Sequence, residues 1–180
     1  MKTLNEIYSK YSSPEHHGDK GTTHTYIDEY ERLLKDYRVG STVLEIGIYY
    51  GESLKMWNEF FVDSKVYAVD INGERIEGLI KTNEYNIIIS DATKVQFLDY
   101  IKDEMFDVII DDGSHLIDHQ IKSFNILKEK MKPGGIYIIE DVNNFDDTVN
   151  TYKKLHSNIE IIDNRHIKNR FDDVLIVYKF

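Results

Sequence analysis

The chain has no cysteine. That excludes disulfides, zinc–thiolate centres and thiol nucleophiles, and it fits a reducing compartment. No apolar run approaches the roughly 20 residues that span a bilayer. The stretch Met1 to Lys10 is polar and lacks the apolar core of a signal peptide, so a soluble, cytoplasmic protein with no membrane partner is expected. No block of Lys or Arg stands out, and the formal net charge is −10. Phosphate backbones repel such a chain, so nucleic acid is not expected as a partner. There is also no internal repeat, low-complexity tract or linker. What is present is 180 residues with 41% hydrophobic content, enough for one good core and therefore one domain.

Two helices are predicted first, over Thr3 to Tyr11 and over Thr25 to Tyr37, where Ile27, Tyr30, Leu33, Leu34 and Tyr37 recur at helical spacing. Between them lies a loop rich in Ser, Pro and Gly. Its His16-His17 pair invites a metal reading but is more simply a solvated loop feature. From Ser41 onward strands and helices alternate. Strands are predicted over Val43 to Ile46, Lys65 to Val69, Asn86 to Ile89, Phe106 to Ile110 and Ile136 to Ile139. Helices are predicted over Glu52 to Phe61, Glu74 to Lys81, Thr93 to Ile101 and Ile117 to Met131. A helix over Asp147 to Leu155 follows, then strands Ile159 to Ile162 and Val174 to Tyr178 joined only by a polar loop. The pattern implies an α/β, doubly wound, seven-stranded and mainly parallel sheet closed by an antiparallel pair at one edge. Residues 1–40 would form an N-terminal helical cap on a unit of residues 41–180.

The chemistry gathers where strands end. Val108-Ile109-Ile110-Asp111-Asp112-Gly113-Ser114-His115 and Ile136-Tyr137-Ile138-Ile139-Glu140-Asp141 are short apolar runs that finish in adjacent acids. In neighbouring parallel strands these acids would converge, repelling one another unless a cation sat among them. Oxygen-only ligands suit magnesium or calcium better than zinc. His115 would supply a base near neutral pH. Upstream, Glu45 through Ser53 follows the first strand and opens the first helix after it. Gly47 permits a tight turn there and Gly51 a close backbone approach to a ligand. Tyr49 stands where a dinucleotide loop needs its middle glycine, which argues against a bound pyrophosphate. Asp70 and Asp91 end the next two strands, where one acid can accept from ribose hydroxyls and the other from an adenine amino group.

These pieces resemble the class I S-adenosylmethionine-dependent methyltransferases over nearly the whole chain: LEIGIYYGES, VYAVDI, SDA, FDVIIDDGSH, LKEKMKPGGIYIIEDV and RFDDVLIVYKF. Within that superfamily the acid-bearing strand ends are similar to the metal-dependent sugar O-methyltransferases of the mycinamicin and macrocin type, with cephalosporin hydroxylase-like proteins sharing part of the pattern. The large N-terminal domain of the mycinamicin type has no counterpart in these residues. The resemblance implies a Rossmann-like methyltransferase fold, S-adenosylmethionine and Mg2+ or another divalent ion as cofactors, and an acceptor hydroxyl on a sugar or polyol. Carried over, Asp112, Glu140 and Asp141 would bind the metal and His115 would be the general base. Glu45, Gly47, Tyr49, Gly51, Ser53, Asp70, Ile71, Asp91 and Ala92 would surround the donor, with Asp111 nearby. Thr22, in the segment Asp19 to Tyr26, would close over its methionine end. A homo-oligomer is implied as well.

The chemistry is self-consistent. An alcohol with a pKa of roughly 15.7 stands about nine units above histidine, and a bound divalent cation closes much of that gap. Two other readings remain: a catechol-like or carboxylate acceptor at the same site, and a non-catalytic nucleoside-binding or scaffold protein.

Overall fold

The structure, a computed structural model, describes residues 1–12 and 18–180; His16-His17 lies outside the described residues. Seven strands make one sheet: β1 (Thr42–Ile46), β2 (Lys65–Asp70), β3 (Asn86–Ile89), β4 (Phe106–Asp111), β5 (Met131–Ile139), β6 (Ile159–Asp163) and β7 (Val174–Lys179). Their order is β3-β2-β1-β4-β5-β7-β6. Only the pairings of β7 with β5 and with β6 are antiparallel. The helices are α1 (Leu4–Tyr11), α2 (Ile27–Leu34), α3 (Glu52–Phe60), α4 (Glu77–Thr82), α5 (Ile117–Leu127), α6 (Phe145–Leu155) and α7 (Arg165–Lys168). Among the described residues no helix is long and apolar enough to cross a membrane.

The central strands β1 and β4 are mostly apolar because both faces are covered, the exceptions being Thr42, Glu45, Asp107 and Asp111. Val43, Val66, Val108, Ile110, Ile136, Ile138 and Val177 join one core with α1, α2 and Trp57 of α3. Leu44, Val69, Ile109, Tyr137, Ile139 and Ile176 join a second core with Phe124 and Tyr152 from α5 and α6. Helices α1 and α2 thus share their core with the sheet. At the start of α1, Thr3 and Glu6 form a reciprocal capping box, satisfying amide donors that a helix start leaves unpaired.

The structure corrects the sequence reading in four places. The helix expected over Ile117 to Met131 stops at Leu127; a 3-10 turn follows, and Met131 opens β5 opposite Phe106. Pro133 and Gly134, with φ of 82°, cannot continue a helix. The segment Thr93 to Ile101 is a 3-10 stretch over Val95–Tyr100 with Phe97 as its buried residue, too little apolar surface to anchor an α-helix. Over Glu74 to Lys81, a 3-10 turn precedes a short α4. The connection between β6 and β7, expected to be loop alone, contains the helical turn α7.

Strand order reverses between β1 and β4, and open α/β sheets bind ligands at such a reversal. There the two strand ends nearly touch. The Asp112 amide donates to the Ile46 carbonyl at 2.9 Å, and on the other side of β1 the Gly47 amide donates to the Val69 carbonyl of β2 at 2.8 Å. A β-carbon on Gly47 would stand 2.0 Å from the Asp112 carbonyl oxygen, at a φ of 91°. Gly47→Ala should therefore lower unfolding stability by about 3 kcal/mol in urea titration with an unchanged m-value. A variant as stable as the parent would show that the strand ends have slack.

Candidate functional site

Pleat geometry decides which acids meet. Glu45 pairs with Ile110, and Ile110 with Ile138, so these three side chains share one face. Asp112 and Glu140 stand two residues further along that face, above which α1 and α2 lie. Asp111 points to the opposite side, where it is buried and accepts from the Tyr137 hydroxyl at 3.3 Å. Burial pushes its carboxyl up to about 7, tempered by the Gly113 amide and by Tyr137.

The cation among these acids is Lys20. Its ammonium lies 2.5 Å from Asp112 Oδ2 and 2.5 Å from Glu140 Oε1, with a side chain 4% exposed. Burial opposes the charge, yet Asp112, Glu140 and Glu45 together hold the ammonium well above the ordinary lysine range. Glu140 Oε1 also accepts from the Tyr30 hydroxyl at 2.5 Å. Glu45 accepts from the Trp57 indole at 2.9 Å, while its Oε2 lacks a well-formed hydrogen bond. Burial carries this carboxyl up to about 7, with Lys20, Ser53 and Trp57 drawing it back.

Next to this pair lies a second group. Ligand atoms of Asp112, His115 and Asp141 all fall within 4.8 Å of one another, and His115 Nε2 is 3.8 Å from Asp141 Oδ2. His115 and Asp141 both take left-handed backbone, with φ of 56° and 53°. Asp63, Asn83, Asn144 and Asn169 share this backbone, a turn geometry that Asp, Asn and His tolerate better than other side chains. Asp141 is pushed up to about 7 by burial and by the Asp112 charge, against the pull of His24 and Tyr26. Tyr26 donates to Asp141 Oδ1 at 2.8 Å, and the buried His24 approaches the same oxygen at 3.3 Å. Asp173, wholly buried, accepts from the Thr25 amide and hydroxyl at 3.2 and 2.9 Å.

A cavity of about 600 Å³ opens beside these acids. Its wall includes Gly47, Tyr49, Ser53, Asp70, Ile71, Asp112 and His115 from the sequence-derived set. Asp70 accepts from the Ile48, Tyr49 and Asn72 amides at 2.8, 3.2 and 2.9 Å. Tyr49 takes a φ of 51°, so this loop adopts at a tyrosine the backbone that usually calls for glycine. The Arg75 guanidinium lies 4.7 Å over its ring. Trp57 is core.

Other expected residues lie off this wall. The space beside Gly51 is filled by Leu79, whose Cδ1 would be 2.2 Å from an added β-carbon. Asp91 accepts from the Thr93 amide and hydroxyl at 2.9 and 2.6 Å. Ala92 is buried in the second core, and Thr22 is exposed with its hydroxyl on the Gly18 carbonyl. Glu45, Glu140, Asp141 and Asp111 are likewise not part of the wall. Sequence reasoning missed Lys20, His24, Tyr26, Tyr30 and Asp173. The available signal was a lysine between glycines at Gly18 and Gly21, followed closely by a histidine and two tyrosines.

Comparison with known proteins agrees with this architecture. A family described as a methyltransferase domain matches residues 44–142. The chain is 36% identical over 151 residues to mycinamicin VI 2''-O-methyltransferase of Micromonospora griseorubida, covering 77% of this chain and 36% of that protein. It is 32% identical over 137 residues to 8-demethyl-8-alpha-L-rhamnosyl tetracenomycin-C 2'-O-methyltransferase of Streptomyces olivaceus, covering 71% of this chain and 35% of that one. The chain thus spans about a third of the length of these relatives. A solved structure of MycE methyltransferase from the mycinamycin biosynthetic pathway, in complex with Mg and SAH, superposes with a TM-score of 0.74 at 28% identity, covering 99% of this chain and 55% of that one.

Asp173→Ala should lower stability by about 2 kcal/mol, because it strips a buried acceptor from the Thr25 donors. It should also raise amide exchange across residues 20–26. Unchanged exchange there would mean that Asp173 does not hold the segment.

Proposed function

The chain belongs to the methyltransferase domain family, and from that premise we propose that it methylates a hydroxyl of a sugar-bearing small molecule. The donor is S-adenosylmethionine, and a divalent cation, magnesium in the first instance, serves the reaction. One observation carries the reading. Asp112 and His115 belong both to the cavity wall and to the group they form with Asp141.

Asp70 supports the donor. Its carboxylate is steadied by three backbone amides and retains a lone pair on Oδ1 for one hydroxyl of a diol such as that of ribose. Gly47, Tyr49, Ser53 and Ile71 contact the donor in this reading. Glu45, Gly51, Asp91, Ala92, Asp111 and Thr22 hold the loops around it. For the metal, Asp112 and Asp141 offer the oxygen ligands that a hard ion takes, with Glu140 beside them. Asp141, raised by burial and by its neighbour's charge, is a carboxyl that a cation would relieve. When bound, such an ion supplies Lewis-acid chemistry, lowering the pKa of an oxygen attached to it.

The remaining work falls to the chain's own side chains. His115 accepts the acceptor's hydroxyl proton at Nε2, and Asp141 steadies the resulting imidazolium. The cavity walls align acceptor oxygen and donor methyl, which is where much of the rate arises. The relative named for a rhamnosyl tetracenomycin supports a sugar hydroxyl as acceptor, and the MycE complex with Mg and SAH supports both ligands.

Calorimetric titration should show binding of S-adenosylmethionine, and methyl transfer to deoxysugar-bearing acceptors should vanish after EDTA and return with magnesium. His115→Ala should keep donor affinity within about twofold while losing about 10²–10⁴ in turnover. Transfer undiminished by EDTA would remove the metal from the reading. Methylation confined to catechols or carboxylates would change the acceptor class. A chain that binds no donor would be a scaffold.

A further inference from the structure

Lys20 reaches the acids from outside the sheet. It belongs to the segment before α2, so its presence in the cluster depends on how that segment is seated. Nearby, the exposed end of α7 provides a latch. Lys168 Nζ donates to the Gly21, Thr22 and His24 carbonyls at 2.9, 2.8 and 2.8 Å. From the other side the Tyr8 hydroxyl accepts from the Gly21 and Thr22 amides at 3.0 and 2.9 Å. None of these contacts is part of the β-sheet ladder, so opening residues 19–24 would leave the strand pairing intact, while Thr25 on Asp173 and the buried Tyr26 anchor the segment's far end.

The lysine also uses atoms that an ion would need. Asp112 Oδ2 is engaged at 2.5 Å, and Glu140 Oε1 takes both the ammonium and the Tyr30 hydroxyl. Asp112 is common to the ammonium pair and to the Asp112–His115–Asp141 group. A divalent ion in that group would share Asp112 with the Lys20 ammonium, itself 4% exposed, and the two positive charges would repel at that distance.

We propose that Lys20 is a tethered competitor of the divalent cation. Its ammonium occupies the acids while the segment is latched, and metal entry is coupled to release of the segment and withdrawal of the lysine from Asp112 and Glu140. The inference rests on the metal reading above and adds to it a residue and an order of events. Its physical sense is that the acids are never left bare: a chain-borne cation offsets part of their charge until a free one arrives. It also makes metal affinity depend on the latch, since a binding-competent state populated a tenth of the time weakens apparent affinity about tenfold.

The test uses magnesium chloride alone, with the donor-free protein. Calorimetry should give Lys20→Met an affinity at least about tenfold tighter than the parent. Lys168→Met leaves every acid and Lys20 in place, yet should also bind more tightly because the latch is weakened. Adding magnesium to the parent should raise amide exchange over residues 19–24. Should Lys20→Met fail to fold, the Lys168 variant and the exchange experiment carry the test. Equal affinity in parent and variants would overturn the proposal, as would exchange that stays level or falls with magnesium, which would mean that lysine and ion share the acids. Those outcomes leave the metal reading standing. Absence of any magnesium binding in parent and variants would overturn both.

Discussion

Carboxylates gathered on one buried face of a sheet must either be protonated or share their site with a cation. Glu45, Asp112 and Glu140 lie on the same face of the sheet because β1, β4 and β5 are adjacent, with Asp112 and Glu140 two residues beyond Ile110 and Ile138, the residues in register with Glu45. Left bare, they would repel one another and force protonation. Lys20 relieves that repulsion, and it is delivered by a segment that is not part of the sheet. The N-terminal helices therefore do more than shield an apolar face. Their aromatic hydroxyls, Tyr26 on Asp141 and Tyr30 on Glu140, complete the coordination of acids that the sheet presents but cannot satisfy.

The second constraint is the narrow gap where strand order reverses. Because Gly47 sits against the Asp112 carbonyl, the loop that lines the cavity and the loop that carries the acids form one wall. His115 and Asp141 stand in left-handed backbone, a cost of about 1 kcal/mol or more each that the hydrogen-bonded surroundings hold in place. Those turns swing both side chains toward Asp112 instead of along their strands. The geometry of this cluster is thus set by backbone turns at strand ends.

Much of this was readable from residue order. Apolar runs ending in acids identified the strands and the edge of the sheet where those acids gather. The glycine loop was readable too, though not its reasons: the room beside Gly51 belongs to Leu79, a packing partner that no local pattern announces. Helical stretches were misjudged where tertiary contact overrides propensity. Met131 enters the sheet because Phe106 is there to pair with it, and the segment around Phe97 has too few buried anchors to complete an α-helix.

Local order determined that this chain makes a mainly parallel sheet with acids at its carboxyl edge, because strand period and turn chemistry act over a few residues. Tertiary structure alone decided which cation meets those acids. Lys20 is 92 residues from Asp112 and 120 from Glu140, and a charge pair across such separations follows from how the helices dock, which no short-range pattern encodes.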